Sequence, residues 1–188
     1  MKLLHSAFAC LVAFASMAGA AYADDLLTIQ LKDGPVVIKL APEVAPKHVA
    51  QIEALASKGE YDNVVFHRVI DGFMAQTGDV EFGKQGGAKF NPKRAGMGGS
   101  EMPDIPAEFS KVPFKRGTVG MARSQSPNSA NSQFFIMFDE GAFLNGQYTV
   151  VGQVQSGMEF VDKIKRGEGG NGEVSNPDKM IKVTVTKK

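Results

Sequence analysis

Thiol chemistry is almost absent from this chain: its 188 residues include a single cysteine, Cys10, inside an apolar stretch at the N-terminus. Residues 1–23 begin with Lys2 and continue through an apolar run broken by His5, Ser6 and Ser16. They end at Ala21-Tyr22-Ala23, just before Asp24-Asp25. A basic start, a short apolar run and a small-x-small end form the pattern of a cleaved export signal. The run is short for a membrane anchor, which needs roughly 20 apolar residues. Cys10 sits within the run rather than at its end, which argues against a lipidated terminus. Removing residues 1–23 leaves roughly 165 residues, enough for one domain with a substantial core. That remainder has no cysteine, so it forms no disulfide and has no thiol nucleophile.

An excess of charge of either sign is also missing. The chain has 21 basic and 20 acidic residues, and the leader holds one Lys and no acid, so the remainder carries 20 of each. A neutral domain without a basic block argues against nucleic acid or an anionic membrane as its main partner. The glycines of residues 84–100 include no GxxxxGK[ST], so no phosphate-binding loop is expected. Past the leader only His48 and His67 remain as histidines, and neither has a partner at metal-ligand or triad spacing; no metal or cofactor is expected. Asp104 and Glu108 read as solvated loop charges rather than an acid/base pair.

What is present is mostly short, strand-like and apolar. Residues 26–31 and 36–40 flank Lys32-Asp33-Gly34-Pro35, a hairpin signal. Residues 46–58 change period: Val49, Ile52, Leu55 and Ala56 recur at helical spacing, with Pro46 in the first turn and Gly59 at the stop. Strand-like segments follow at 64–70, 73–77, 118–122, 134–138 and 148–154. A second helical row, Met158, Val161 and Ile164, lies within 158–165, and residues 180–186 alternate apolar and polar like a final half-wet strand. Residues 83–114 are rich in Gly, Pro and polar residues without periodicity, which marks a functional loop or a disordered insertion. Many short strands with two isolated helices predict a closed sheet whose open ends the helices cover.

Two stretches carry the chemistry. The first is FHRVIDGFMAQTGD, residues 66–79. On a strand, Phe66, Arg68 and Ile70 would share one face while His67 and Val69 take the other. Phe73, Met74 and Gln76 return nearby after the Asp71-Gly72 turn. An Arg among Phe and Met is either a side chain snorkelling over the sheet wall or part of a site. The second stretch is GTVGMARSQSPNSANSQFFI, residues 117–136, which reads as two core strands joined by a polar loop.

Together these stretches resemble the cyclophilin family of peptidyl-prolyl isomerases, most closely its bacterial exported members. FLNGQYTVVGQVQSGMEFVDKI, residues 143–164, continues the resemblance in order. It spans nearly the whole chain from about residue 27 to 185. The resemblance implies an eight-stranded antiparallel β-barrel capped by two α-helices, in agreement with the strand count. It implies that Arg68 is the catalytic residue and that Phe73, Met74, Phe135 and Leu144 form the pocket for the proline ring. Gln76 and Gln133 would position the substrate backbone, and the main chain at Ala122 and Arg123 would pair with it. Phe143 stands where many eukaryotic members carry Trp, Tyr148 where they carry His, and Arg123 where they carry Asn. Loss of the indole N–H donor at Phe143 implies weak cyclosporin binding.

The expected partners are unfolded or flexible proline-containing polypeptides, met in a Gram-negative periplasm by a monomer that has lost its leader. Two other readings remain open on the residues alone. One is a holdase or adaptor that grips extended Pro-containing segments without needing catalysis. The other, a small-ligand carrier, is weaker because Met121 and Phe138 would fill the interior of a small barrel.

Overall fold

The structure, a computed structural model, describes residues 25–187; the proposed leader, residues 1–23, lies outside them. β1 (Leu26–Leu31) and β2 (Gly34–Leu40) form the hairpin the Asp-Gly signal predicts. The ladder starts at Leu31 and Gly34, so the turn is Lys32-Asp33 alone and β2 begins earlier than its apolar run. Leu27, Ile29 and Leu31 alternate inward on β1, as Val36, Ile38 and Leu40 do on β2.

Helix α1 (Pro46–Ser57) buries Val49, Ile52, Leu55 and Ala56 and packs against the last strand, β10 (Lys182–Thr186). Gly59, with φ +68°, ends it: its N–H bonds Ala56 O at 2.9 Å and the N–H of Glu60 bonds Leu55 O at 3.0 Å. This is a Schellman closure, which favours glycine at the left-handed position. The other end of α1 has no local side-chain cap. Instead Glu108 accepts the N–H groups of Lys47 and His48, both at 3.1 Å, and Nδ1 of His48 at 2.7 Å. Glu108 is therefore no solvated loop charge. The helix's orphan N–H groups and its positive dipole end draw a carboxylate from a segment some 60 residues away. Asp104, its expected counterpart, accepts the side-chain N–H of Asn131 at 3.0 Å.

The remaining strands are β3 (Val64–Val65), β4 (Arg68–Ile70), β5 (Met74–Thr77), β6 (Thr118–Met121), β7 (Phe134–Met137), β8 (Val150–Ser156) and β9 (Lys179–Met180). Eight strands make one antiparallel sheet in the order β10-β1-β2-β8-β6-β7-β5-β4. The ladder does not close: β10 and β4 are its ends and do not pair. β3 and β9, which lead directly into those two end strands, pair with each other in a separate ladder. The second helix, α2, is short (Met158–Val161) and packs on β2.

The single strand expected at 64–70 is thus two. Between β3 and β4, Phe66 donates its N–H to Asp178 O at 2.8 Å, outside either ladder. This break undoes the expected alternation: Phe66 and Val69 both enter the main core, while Arg68 and Ile70 are half-buried on the other side. The main core also takes Met121, Ile136 and Phe138, so bulky side chains fill the interior as expected for a packed sheet. Residues 83–114 contain no element of the sheet, yet Ile105 and Phe114 are buried and Ile105 bridges to Ala130.

Candidate active site

A second, smaller cluster sits on the opposite face of β5, β6 and β7. Met74, Phe135 and Met137 point into it while their neighbours Ala75, Phe134 and Ile136 point into the main core. Phe114 stacks on Phe135 with ring centres 5.7 Å apart, and Tyr148 meets Phe135 edge-on at 5.9 Å. Gly120 makes that stack possible, since a Cβ there would lie 2.5 Å from Phe114 and 2.6 Å from Phe135. A close approach of two rings to a strand backbone requires a residue without a side chain.

The outer surface of this cluster is a groove of about 280 Å³ lined by Arg68, Phe73, Met74, Gln76, Ala122, Arg123, Phe135, Phe143, Leu144 and Tyr148. Ten of the eleven residues singled out from sequence thus share one depression. Gln133, the eleventh, is one hydrogen bond behind it and lines an adjoining hollow of about 440 Å³ with Gln76, Ala122 and Arg123. Met97, Ser100, Asp104, Ser129 and Asn131 also line that hollow. The sequence left the 83–114 segment open as a functional loop or a disordered insertion and did not pick Met97, Ser100 or Asp104, because no periodicity or motif places them; Ser129 and Asn131 lie in the polar loop of the 117–136 stretch.

Arg68 faces Gln76 across the β4–β5 ladder. Its Nε donates to Asn171 O at 3.0 Å and its Nη1 to Gln76 Oε1 at 3.2 Å, while Nη1 lies 3.8 Å from the Met74 sulfur. Nη2 has no hydrogen-bond partner among the described residues. Gln76 Nε2 donates to Gln133 Oε1 at 3.0 Å, and Gln133 Nε2 donates in turn to the carbonyls of Gly96 at 3.0 Å and Gly98 at 2.8 Å. Burial lowers the Arg68 pKa, partly offset by Tyr148. A guanidinium stays cationic at neutral pH even so.

The other walls are set by local structure. Phe143 and Leu144 belong to a 3-10 turn, Ala142–Leu144, that buries Leu144 and leaves Phe143 at the rim against Phe73, 5.4 Å between ring centres. The Arg123 guanidinium lies 4.4 Å above the Tyr148 ring and donates to Ser124 O at 2.9 Å and Gln147 O at 3.1 Å, strapping two loops together. β6 ends at Met121, so Ala122 and Arg123 continue beyond it. Ala122 N–H bonds Gln133 O at 2.9 Å, whereas the Ala122 carbonyl and the Arg123 amide have no partner among the described residues. This leaves open backbone donors and acceptors along one wall, a cation beside an apolar floor, and no nucleophile or acid/base pair in the groove. Such a site can bind an extended chain and stabilise charge without making a covalent bond.

Comparison with known proteins decides the family. The model for the cyclophilin type peptidyl-prolyl cis-trans isomerase family matches residues 26–185. The chain belongs to the cyclophilin family. A probable peptidyl-prolyl cis-trans isomerase of Brucella suis is 64% identical over 169 residues, spanning 89% of this chain and 86% of the relative. Peptidyl-prolyl cis-trans isomerase B of Escherichia coli is 38% identical over 149 residues, spanning 74% and 84%. Among solved structures, a cyclophilin from Hirschia baltica superposes with a TM-score of 0.71 at 28% identity, covering 86% of this chain and 73% of its own. A Cryptosporidium parvum cyclophilin type isomerase, crystallised in the presence of the dipeptide Ala-Pro, gives 0.73 at 25% identity, covering 87% and 99%. This cyclophilin therefore carries the family's curled, mostly β fold with two helices, and it falls in an enzyme class.

Proposed function

We propose that this cyclophilin accelerates rotation about X–Pro bonds in flexible or unfolded polypeptides, with Arg68 as the acting residue. The observation that carries the reading is the half-buried Arg68 guanidinium, with Nη2 uncommitted, on the wall of the groove whose floor is Phe73, Met74, Phe135 and Leu144. A prolyl amide rotates over a barrier of about 18–20 kcal/mol because its resonance must be broken, which takes roughly 10–100 s unaided. At the twisted geometry the prolyl nitrogen regains a localised lone pair. Arg68 can donate to that nitrogen when the bond is twisted and hardly at all when it is planar, so it binds the transition state selectively. A turnover of about 1–1000 per second needs the barrier lowered by roughly 2–7 kcal/mol. One charge-assisted hydrogen bond of about 1.5–3 kcal/mol and a groove that sheds water supply much of that.

The experiment is cis/trans exchange in an Ala-Pro-Phe peptide, followed by NMR, with Arg68→Ala as the comparison. We expect kcat/KM to fall roughly 10- to 100-fold, the loss of that one hydrogen bond, with an unchanged fold. Equal rates for the two proteins would end the assigned mechanism.

The same reading puts the enzyme outside the cytoplasm, in a periplasm, as a monomer acting on exported chains. Its support is the basic, apolar and Ala21-Tyr22-Ala23 pattern of residues 1–23. N-terminal sequencing of the protein from a periplasmic fraction should start at Asp24; a start at Met1, or recovery in the cytosol, would refute it.

A further inference from the structure

Asp79 is wholly buried and lies at the end of the FHRVIDGFMAQTGD stretch, yet it does not line the groove. Its carboxylate is fully occupied by backbone donors. Oδ1 accepts the N–H of Glu81 at 3.0 Å and of Phe82 at 2.8 Å; Oδ2 accepts the N–H of Gly96 at 2.7 Å and of Gly98 at 2.9 Å. Two of these donors belong to residues whose carbonyls grip Gln133 Nε2. The same short turn therefore faces Asp79 with its N–H groups and Gln133 with its carbonyls.

We propose that Asp79 is a positioning residue for the isomerase reaction, acting through Gly96 and Gly98, then Gln133, then Gln76, to fix the Arg68 guanidinium. The proposal rests on Arg68 being the acting residue. Each link has one polarity. Asp79 accepts from the turn, so the turn's carbonyls are held toward Gln133. Those carbonyls can only accept, which forces the Gln133 amide to present its NH2 to them and its Oε1 to Gln76. Gln76 must then present its own NH2 to Gln133 and its Oε1 to Arg68. A single buried carboxylate thus sets the orientation of two amides that could otherwise flip, and the second of them holds Nη1 of Arg68. With Nη1 and Nε both engaged, the planar fork has no free rotation and Nη2 is aimed by the frame. Placement within about 0.5 Å is what a transition-state hydrogen bond demands.

The test is a double-mutant cycle between Asp79→Asn and Arg68→Lys, which keeps a cation but lacks the fork. Asp79→Asn has one acceptor oxygen for two pairs of N–H donors, so its NH2 faces either Glu81 and Phe82 or Gly96 and Gly98 and disturbs the turn they share. In the wild-type background we expect kcat to fall at least fivefold with KM within twofold; in the Arg68→Lys background, less than twofold in either. An equal fall in both backgrounds, no fall at all, or a change confined to KM would overturn the proposal, because a loop that merely supports the fold or binds substrate acts regardless of residue 68. If Asp79→Asn does not fold, Gln133→Glu, which replaces the NH2 facing the two carbonyls, is assayed in the same two backgrounds. There too, a fall in kcat that depends on Arg68 supports the proposal and one that does not overturns it. Failure of the parent reading is separable: in that case Arg68→Ala alone leaves the rate unchanged.

Discussion

The two apolar clusters of this protein lie back to back across the same stretch of sheet and share little else. The main core, between the sheet and α1, is dominated by aliphatic side chains such as Ile29, Ile38, Ile52, Val119 and Ile136, each at most 2% exposed. The smaller cluster on the other face is built from Met74, Phe114, Phe135, Met137, Leu144 and Val150, and its outer wall is the groove. Branched aliphatics have few rotamers and pack to a unique arrangement, whereas aromatic rings and methionine give broad, adaptable faces. One face of the sheet is thus built to be filled by the chain, the other to be completed by something else. The second carries the Arg68 guanidinium in its groove wall, whereas the Arg166 guanidinium at the main core covers the Phe138 ring, 3.9 Å from its centre.

Neighbouring residues on β7 offer the sharpest way to break that contrast. Ile136→Ala empties a closed site, and both the transfer and the cavity terms apply, so we expect a loss of about 2–5 kcal/mol in urea unfolding with kcat/KM unchanged in the folded fraction. Phe135→Ala opens its void to the groove, where water can enter. Its stability loss should lie near the low end for such a truncation, about 3 kcal/mol, while KM for proline peptides rises at least tenfold through lost apolar contact worth about 1.5–3 kcal/mol. If both variants changed stability and KM alike, the division between the two clusters would be wrong.

A second test probes the seam between them. His67 is buried at the break between β3 and β4, and its pKa falls to about 4, chiefly through burial, with Asp79 opposing and Arg68 reinforcing. The unfolded chain protonates this ring near 6.5, so between these values the unfolded state binds the extra proton. The stabilisation is complete above pH 6.5 and is lost as pH falls toward 4, by about 3 kcal/mol for a shift of this size. His67→Leu should remove this part of the acid limb. Unfolding free energies measured from pH 7 to 4 should show the difference between the two proteins changing across that window; a constant difference would place the imidazole in water instead.

How much of this contrast the sequence showed depends on the range of the contacts involved. The hairpin of β1 and β2, the buried stripe of α1 and its Gly59 stop rest on neighbours within a few residues, and all were readable. The groove was readable for another reason: its walls are short motifs whose resemblance to cyclophilins could be carried over residue by residue. Four features escaped. The Phe66-His67 break depends on Asp178, and the cap on α1 depends on Glu108. The unclosed ladder depends on β3 pairing with β9. The lining of the adjoining hollow depends on a loop without period. Each is fixed by a partner distant in sequence, and no local pattern announces such a partner. Alternation also misleads on β6 and β7, where every residue is buried because a cluster lies on both faces.

The smallest effects belong at the rim, where the open cluster meets solvent. Phe143 is 65% exposed and touches the groove mainly through Phe73. Phe143→Ala should leave stability within about 0.5 kcal/mol of wild type, as for most surface substitutions, and raise peptide KM by roughly two- to fivefold, less than a buried aromatic pair would give. Phe143→Trp asks the converse question. It keeps the ring against Phe73 and adds one N–H donor, so kcat/KM for a short peptide should not move, while affinity for cyclosporin should rise by about tenfold for one hydrogen bond of roughly 1–1.5 kcal/mol. The chain has no other tryptophan, so the emission of the introduced indole reports the titration directly. Unaltered cyclosporin affinity would mean that the rim contributes area alone, and that the polar contacts of this groove come from Arg68, the two glutamines and the open backbone of Ala122 and Arg123.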